Sequence, residues 1–294
     1  ETIMPPAFSP RRSCLYMPGT NTRALDKARS LPCDVVIMDL EDAVSADKKK
    51  EARDTVCAAL TSGGYGYREL WVRINALNTA WGETDLRRVA KHSPHAIIVP
   101  KVDDADDIMR ANALLCAADQ SSAIALWAMI ESPAAILNLA RIAAASTDSR
   151  LAGLIVGGND LAKDLRLDVT PDRQALLYAL SQTVTAGRAY ALDVLDGVFN
   201  DIDDAAGLID ECTQGRQLGF DGKTLIHPKQ IESANRLFTP SPQAINQAQA
   251  IIDAFSDPEN CHLGVIKVGG QMTERLHLEQ AERLIAYYEA LQQR

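Results

Sequence analysis

Short apolar or β-branched runs alternate along this chain with longer segments whose apolar residues recur every three to four positions. That is the alternation of buried parallel strands with helical crossovers. The runs predict eight strands, at residues 13–17, 35–40, 70–74, 96–100, 125–130, 153–156, 189–193 and 219–223. Helices are predicted between them, among others over 22–30, 48–60, 104–117, 133–144, 171–186 and 202–217. Eight βα units in a row, with strands apolar enough to be covered on both faces, favour a closed (β/α)8 TIM barrel over an open doubly wound sheet. No G-x-G-x-x-G follows the first strand and no G-x-x-x-x-G-K-[ST] occurs, so nucleotide-binding versions of the open sheet lack their fingerprint.

After the eighth strand the pattern predicts a helix over 243–254, a short extended piece at 264–270 and an amphipathic helix over 279–291. The expected organisation is a barrel over 1–238 and a C-terminal helical extension over 239–294, more than barrel closure needs. Such an extension caps an active site or crosses to that of a neighbouring subunit. No internal repeat or low-complexity linker interrupts the chain.

Composition changes this picture little. With 294 residues and 47% apolar content the chain can bury a large core. Its longest apolar run, 123–130, is far shorter than the roughly 20 residues a bilayer span needs, so no membrane segment is expected. The N-terminus lacks a basic stretch followed by an apolar one, which makes the cytoplasm the default location. Six cysteines (Cys14, Cys33, Cys57, Cys116, Cys212, Cys261) are scattered singly and read as buried reduced thiols. The net charge of −9 argues against nucleic acid as a partner. Arg11, Arg12, Arg23, Lys27 and Arg29 nevertheless make the first thirty residues basic. One small polyanionic ligand could sit there, or the face is simply solvated.

In a barrel of this type chemistry gathers at the C-terminal ends of the strands. The polar residues there are Asp39, Glu41 and Asp42 after the second strand, Arg73 and Asn75 after the third, and Lys101 after the fourth. Glu131 and Ser132 follow the fifth, Asn159 and Asp160 the sixth, Asp193 and Asp196 the seventh, and Lys223 with His227 the eighth. So many charges at one rim either neutralise one another as ion pairs or bind a cation together with an anionic substrate. Glu131 and Asp160 suit the metal: both are hard oxygen donors unaccompanied by His or Cys, which favours Mg²⁺ over zinc. Arg73 suits a substrate carboxylate, which its planar fork can hold bidentately, although pairing with Glu41 or Asp42 alone would also explain it. No nucleophile elbow or Cys-His pair is present, and the five histidines are dispersed. Lys101 or Lys223 could serve a Schiff-base aldolase, but neighbouring carboxylates would keep either amine protonated.

Several motifs now line up in order: Arg12-Ser13-Cys14-Leu15-Tyr16-Met17-Pro18-Gly19, Asp39-Leu40-Glu41-Asp42 with Lys49 and Arg53, Arg73-Ile74-Asn75, Pro100-Lys101, Glu131-Ser132, Gly158-Asn159-Asp160 and Gly222-Lys223 through His227-Pro228. Their succession resembles the citrate lyase β-subunit-like (HpcH/HpaI aldolase) family, in particular its standalone citramalyl- and malyl-CoA lyases. The resemblance implies a barrel, commonly a homotrimer, that uses Mg²⁺ to make or break a carbon–carbon bond between an acyl thioester and a keto acid. It makes Glu131 and Asp160 the metal ligands and Arg73 the substrate-carboxylate arginine. Asp39, Glu41 and Asp42 become the acidic cluster beside the substrate, and Arg12, Arg23 and Lys27 the group holding coenzyme A phosphates. One position departs from the pattern. Where the family has an Asp followed by Pro, in a C-terminal stretch that reaches a neighbouring site, this chain has Glu274 and Leu276.

The resulting expectation is a Mg²⁺-dependent retro-Claisen lyase acting on a β-hydroxyacyl-CoA, leaning to citramalyl-CoA, with malyl-CoA and citryl-CoA as further possibilities. Arg73, Asp42 and Glu274 would be its catalytic groups. Alternatives are a citrate lyase β subunit acting on a thioester carried by an acyl carrier protein, and a barrel that binds acyl-CoA without turnover.

Overall fold

The structure, a computed structural model, describes residues 9–119 and 123–294. Eight parallel strands close into a barrel in sequence order: β1 (Ser13–Pro18), β2 (Val35–Asp39), β3 (Glu69–Arg73), β4 (Ala96–Val99), β5 (Ala125–Ile130), β6 (Leu151–Val156), β7 (Asp193–Asp196) and β8 (Gly222–Leu225). β8 pairs back onto β1 through Ser13↔Lys223, so the (β/α)8 expectation is met. The crossovers are α1 (Thr22–Ala28), α2 (Lys49–Ser62), α3 (Gly82–Ala90), α4 (Ala105–Ala118), α5 (Pro133–Ala144), α6 (Gly158–Leu165), α7 (Leu177–Ala189) and α8 (Ala205–Leu218). α9 (Ile231–Phe238) follows β8.

Local chemistry sets the helix starts. Asp104 and Asp107 form a capping box at α4, and the Ser132 side chain accepts from the Ala135 N–H with Pro133 opening α5. Two strands lie three to four residues later than their apolar runs suggest, at Asp193–Asp196 and Gly222–Leu225 rather than 189–193 and 219–223. α7 continues to Ala189 and turns out through Ala191, at φ 55°, while Gly219 at φ 99° caps α8 instead of opening a strand.

The barrel interior is filled by one parity of the strands. Val35 and Ile37, Trp71, Ala96 and Ile98, Trp127 and Met129, Ile155 and Leu195 form a single buried cluster. Trp71 and Trp127 sit at its centre with ring centroids 4.3 Å apart. Gly153 on β6 makes this packing possible, because a Cβ there would lie 2.4 Å from the Trp127 ring. Beneath the rings Arg11 donates to Glu69 and Asp193 and lies about 5.5 Å from both indoles, closing the N-terminal end. Asp193 therefore belongs to the floor of the barrel and not to its mouth. A strand residue of the same parity one or two steps further on faces the mouth, and Asp39, Arg73 and Glu131 occupy those steps.

The chain divides into two compact units, Arg11–Leu237 and a second one formed by Phe238–Arg294 with Pro10. The second contains α10 (Pro242–Ser256), an antiparallel hairpin of β9 (Val265–Val268) and β10 (Gln271–Glu274), and α11 (Arg275–Gln292). Gly269 and Gly270, both at positive φ, make the two-residue turn whose hand matches strand twist. Among the described residues no helix is long and apolar enough to cross a membrane. All six cysteines are free; Cys116 and Cys261 are exposed rather than buried.

Candidate active site

A cavity of about 330 Å³ opens at the C-terminal ends of the strands, and Asp39, Asp42, Arg73, Glu131 and Asp160 all line it. Asp39 anchors one side. Its carboxylate accepts the Glu41 and Ala43 backbone N–H groups at 2.9 and 3.1 Å, and the Arg73 Nε and Nη2 at 2.7 Å each. Asp39 thus fixes both the turn after β2 and the plane of the guanidinium. The third nitrogen of Arg73, Nη1, lies 3.1 Å from Glu41 and 3.2 Å from Asp42. The Tyr16 ring lies 4.8 Å from the Arg73 Cζ, within cation–π range.

The turn carrying Glu41 and Asp42 is also held from behind. Lys49 Nζ donates to the carbonyls of Leu40 and Glu41, and Asn75 Nδ2 donates to Leu40 O and to Asp85, which Arg53 also pairs. Asn75 therefore supports the wall instead of meeting a ligand. Burial pushes the Glu41 carboxyl up to about 8; the Arg73 charge pulls it down, while Asp42 and Glu131 push it further up. The Glu41 Oε2 is buried without a hydrogen-bond donor, although Arg73 stands nearby. Burial in that setting favours the protonated form of the Glu41 carboxyl.

Glu131 and Asp160 face each other across Lys101. Lys101 adopts φ 53°, which turns its backbone N–H onto Glu131 Oε1 at 2.6 Å. Its ammonium donates to Asp160 Oδ2 and lies 3.5 Å from Glu131 Oε1. Burial lowers the affinity of that amine for its proton, yet Asp160 and Glu131 outweigh it and hold Lys101 charged. The arrangement disfavours Schiff-base chemistry. Asp160 lies in the first turn of α6, beyond the end of β6, where the helix N-terminus faces the carboxylate.

Among the described residues no group of three or more metal-ligating side chains forms. The two carboxylates nevertheless fit a hard divalent ion that keeps part of its shell for water or substrate. Burial raises the Glu131 carboxyl and the Asp160 charge adds to the rise, with Lys101 opposing. Gly157 keeps this space open: a Cβ there would lie 2.6 Å from Glu131 Oε2.

Lys223 and Asp196, expected at the rim, lie elsewhere, as Asp193 does. Lys223 is the second residue of β8 and points outward into a fully buried network, where it pairs with Asp196 at 3.1 Å and with Glu211. Arg173 meets the other side of Asp196 at 2.8 Å. A four-residue strand reverses its faces at each step, so the shift of β8 moved Lys223 off the inner face and put Thr224 on the cavity wall instead. Asp196 faces the same way as Lys223. Arg12 precedes β1 and clamps Asp34 with its backbone N–H, Nε and Nη2 at 2.8 to 2.9 Å. Arg23 and Lys27 stand on the exposed side of α1, beyond the other end of the strand. A six-residue strand spans about 20 Å, so Arg12 cannot share one phosphate group with them.

Glu274 ends β10 in the second unit, where its backbone N–H donates to His277 Nδ1 at 2.9 Å. Sequence reasoning left out Tyr16, Met129, Asn200 and Thr224, all of which line the cavity. Tyr16 was within reach, because it shares the inward parity of Cys14. The Asn159–Asn200 amide pair joins the first turn of α6 to the loop after β7, far apart in sequence, and left no signal.

Comparison with known proteins agrees with the fold and identifies the family. The model of the HpcH/HpaI aldolase/citrate lyase family matches residues 12–228. A (3S)-malyl-CoA thioesterase of Cereibacter sphaeroides is 44% identical over 282 residues, 96% of each chain. The citrate lyase subunit beta of Leuconostoc mesenteroides subsp. cremoris is 35% identical over 94% of this chain and 92% of that one. Among solved structures, the protein CitE from Mycobacterium tuberculosis in complex with magnesium, acetoacetate and coenzyme A superposes with a TM-score of 0.75. It is 26% identical, over 96% of this chain and 99% of that one.

Proposed function

Since the chain belongs to the HpcH/HpaI aldolase/citrate lyase family, we propose that it is a Mg²⁺-dependent carbon–carbon lyase acting on a β-hydroxyacyl-CoA, with citramalyl-CoA giving acetyl-CoA and pyruvate as the leading case. The observation that carries this reading is the single cavity lined by both the Arg73 guanidinium and the Glu131 and Asp160 carboxylates. An anionic hydroxy compound needs that pairing: one fork for its carboxylate and one cation for its hydroxyl oxygen.

In this mechanism Glu131 and Asp160 would hold Mg²⁺, in the place where the Lys101 ammonium meets both carboxylates. Bound there, the ion supplies Lewis acidity that makes a substrate hydroxyl easier to ionise. Arg73, kept in plane by Asp39, grips the substrate carboxylate at its Nη1 edge. Asp42, on the cavity wall, accepts the hydroxyl proton. As the O–H electron pair becomes the new carbonyl, the carbon–carbon bond breaks and its electrons pass to the thioester α-carbon. That carbon takes a proton from Glu274 of a neighbouring copy, and the 2-oxo acid and acetyl-CoA leave. Arg23 and Lys27 on the exposed face of α1 are the groups we assign to the coenzyme A phosphates. A homotrimer and a cytoplasmic setting complete the proposal.

A second reading, thioester hydrolysis, is favoured by one observation: identity is 44% to the malyl-CoA thioesterase and 35% to the citrate lyase subunit. The products separate the two. With Mg²⁺ and citramalyl- or malyl-CoA, the lyase releases acetyl-CoA and a 2-oxo acid in equal amounts. Hydrolysis releases the free coenzyme A thiol and the intact hydroxy acid. Thiol without 2-oxo acid would replace the lyase by the thioesterase, and no reaction of either kind would remove both.

A further inference from the structure

Among the described residues lining the cavity Arg73 is the one cation, with the Lys101 ammonium held at the edge by Glu131 and Asp160; the others that bear charge are Asp39, Asp42, Glu131 and Asp160. The remaining lining is neutral. Beside the Nη1 edge of Arg73 stands an apolar wall: Met129 Sδ lies 3.9 Å from Nη1 and 3.9 Å from the Tyr16 hydroxyl, and the Tyr16 ring covers the guanidinium. Met129 is buried, and Tyr16 is nearly so. A carboxylate gripped at Nη1 from the cavity, in place of the Glu41 and Asp42 contacts at 3.1 and 3.2 Å, would have Met129 and Tyr16 as the apolar neighbours of its own carbon.

We infer that Met129 and Tyr16 determine specificity by admitting only a small uncharged substituent on the carbinol carbon, so that the 2-oxo acid formed is a monocarboxylate. This inference rests on the functional reading above. A second carboxylate at that position would lose its hydration against a thioether and a ring. Apart from the Lys101 ammonium or the ion that Glu131 and Asp160 hold, it would meet no further cation among the described lining residues, and it would face the Asp39 and Asp42 carboxylates as well. Hydrogen or methyl meets neither cost.

Binding of the 2-oxo acids tests this without requiring turnover. Calorimetry on the full chain with Mg²⁺ should show pyruvate or glyoxylate bound at least tenfold more tightly than oxaloacetate. In Met129→Lys, which puts an ammonium on the wall, the ratio of oxaloacetate to pyruvate affinity should rise at least tenfold over the unmodified chain. Oxaloacetate binding within tenfold of the better monocarboxylate, or more tightly, overturns the inference while leaving the lyase reading in place. A folded Met129→Lys variant with an unchanged ratio also overturns it. If none of the three acids binds in the presence of Mg²⁺, the inference and the functional reading fall together. The comparison on the unmodified chain decides the matter even if the variant does not fold.

Discussion

Glu41 shows how far a residue's chemistry depends on its neighbours. As a sequence letter it is one more acid in Asp39-Leu40-Glu41-Asp42; in the barrel, burial and two nearby carboxylates raise it to about 8 against the pull of Arg73. A carboxyl whose folded pKa lies above its unfolded value near 4.5 binds more protons folded than unfolded between those two points. Its stabilisation is complete below about 4.5 and is lost as pH rises through about 8. Urea denaturation in EDTA should therefore find stability falling across that window, and Glu41→Gln should flatten the fall by up to a few kcal/mol. An identical slope in the variant would show that Glu41 titrates normally. The position of Glu41 was legible in the sequence. Its protonation was not, because desolvation is a property of the packed wall that Lys49 and Asn75 hold in place.

At the scale of elements, strand parity explains most of what could be read in advance. β2, β3 and β5 were located within a residue of where they lie, so Asp39, Arg73 and Glu131 fell on the inner face as expected. β7 and β8 were displaced, and there the reading failed. The stretch from Ala189 to Leu195 is apolar at nearly every position, so neither helical nor strand periodicity marks where α7 stops. The Leu218-Gly219 step did carry a helix-end signal, a glycine at the left-handed cap. The displacement turned Lys223 from a mouth residue into part of a buried pair with Asp196, in which both side chains are 0% exposed. Removing Asp196 leaves two buried cations, Lys223 and Arg173, to share Glu211 alone: Asp196→Ala should cost about 3–5 kcal/mol of unfolding free energy. A loss below about 1 kcal/mol in chemical denaturation would mean that Glu211 alone compensates both cations, or that Lys223 loses its charge at little cost.

At the scale of the whole molecule, the barrel supplies the carboxylates and the guanidinium, while Glu274 belongs to the separate C-terminal unit. The acid proposed to finish the reaction comes from a neighbouring copy, so two defective chains can complement each other. Glu131→Ala lacks a metal ligand and Glu274→Gln lacks the proton donor, and each alone should be nearly inactive. Subunits of the two, mixed and reassembled, should recover up to about a quarter of normal activity if their exchange is random and each site draws on two copies. Normal activity of Glu274→Gln by itself would place Glu274 outside the reaction, and recovery of nothing from two inactive variants would place it within its own chain's site.

The account stands most directly on where a divalent ion and a 2-oxo acid bind. Crystals grown with Mn²⁺, which replaces Mg²⁺ in oxygen-ligand sites and scatters anomalously, and with pyruvate provide that measurement. The anomalous peak should lie between the Glu131 and Asp160 carboxylates, with the pyruvate carboxylate on Arg73 and the Lys101 ammonium displaced. A peak elsewhere in the barrel, or density with Lys101 still bridging the two acids while pyruvate occupies the cavity, would contradict it.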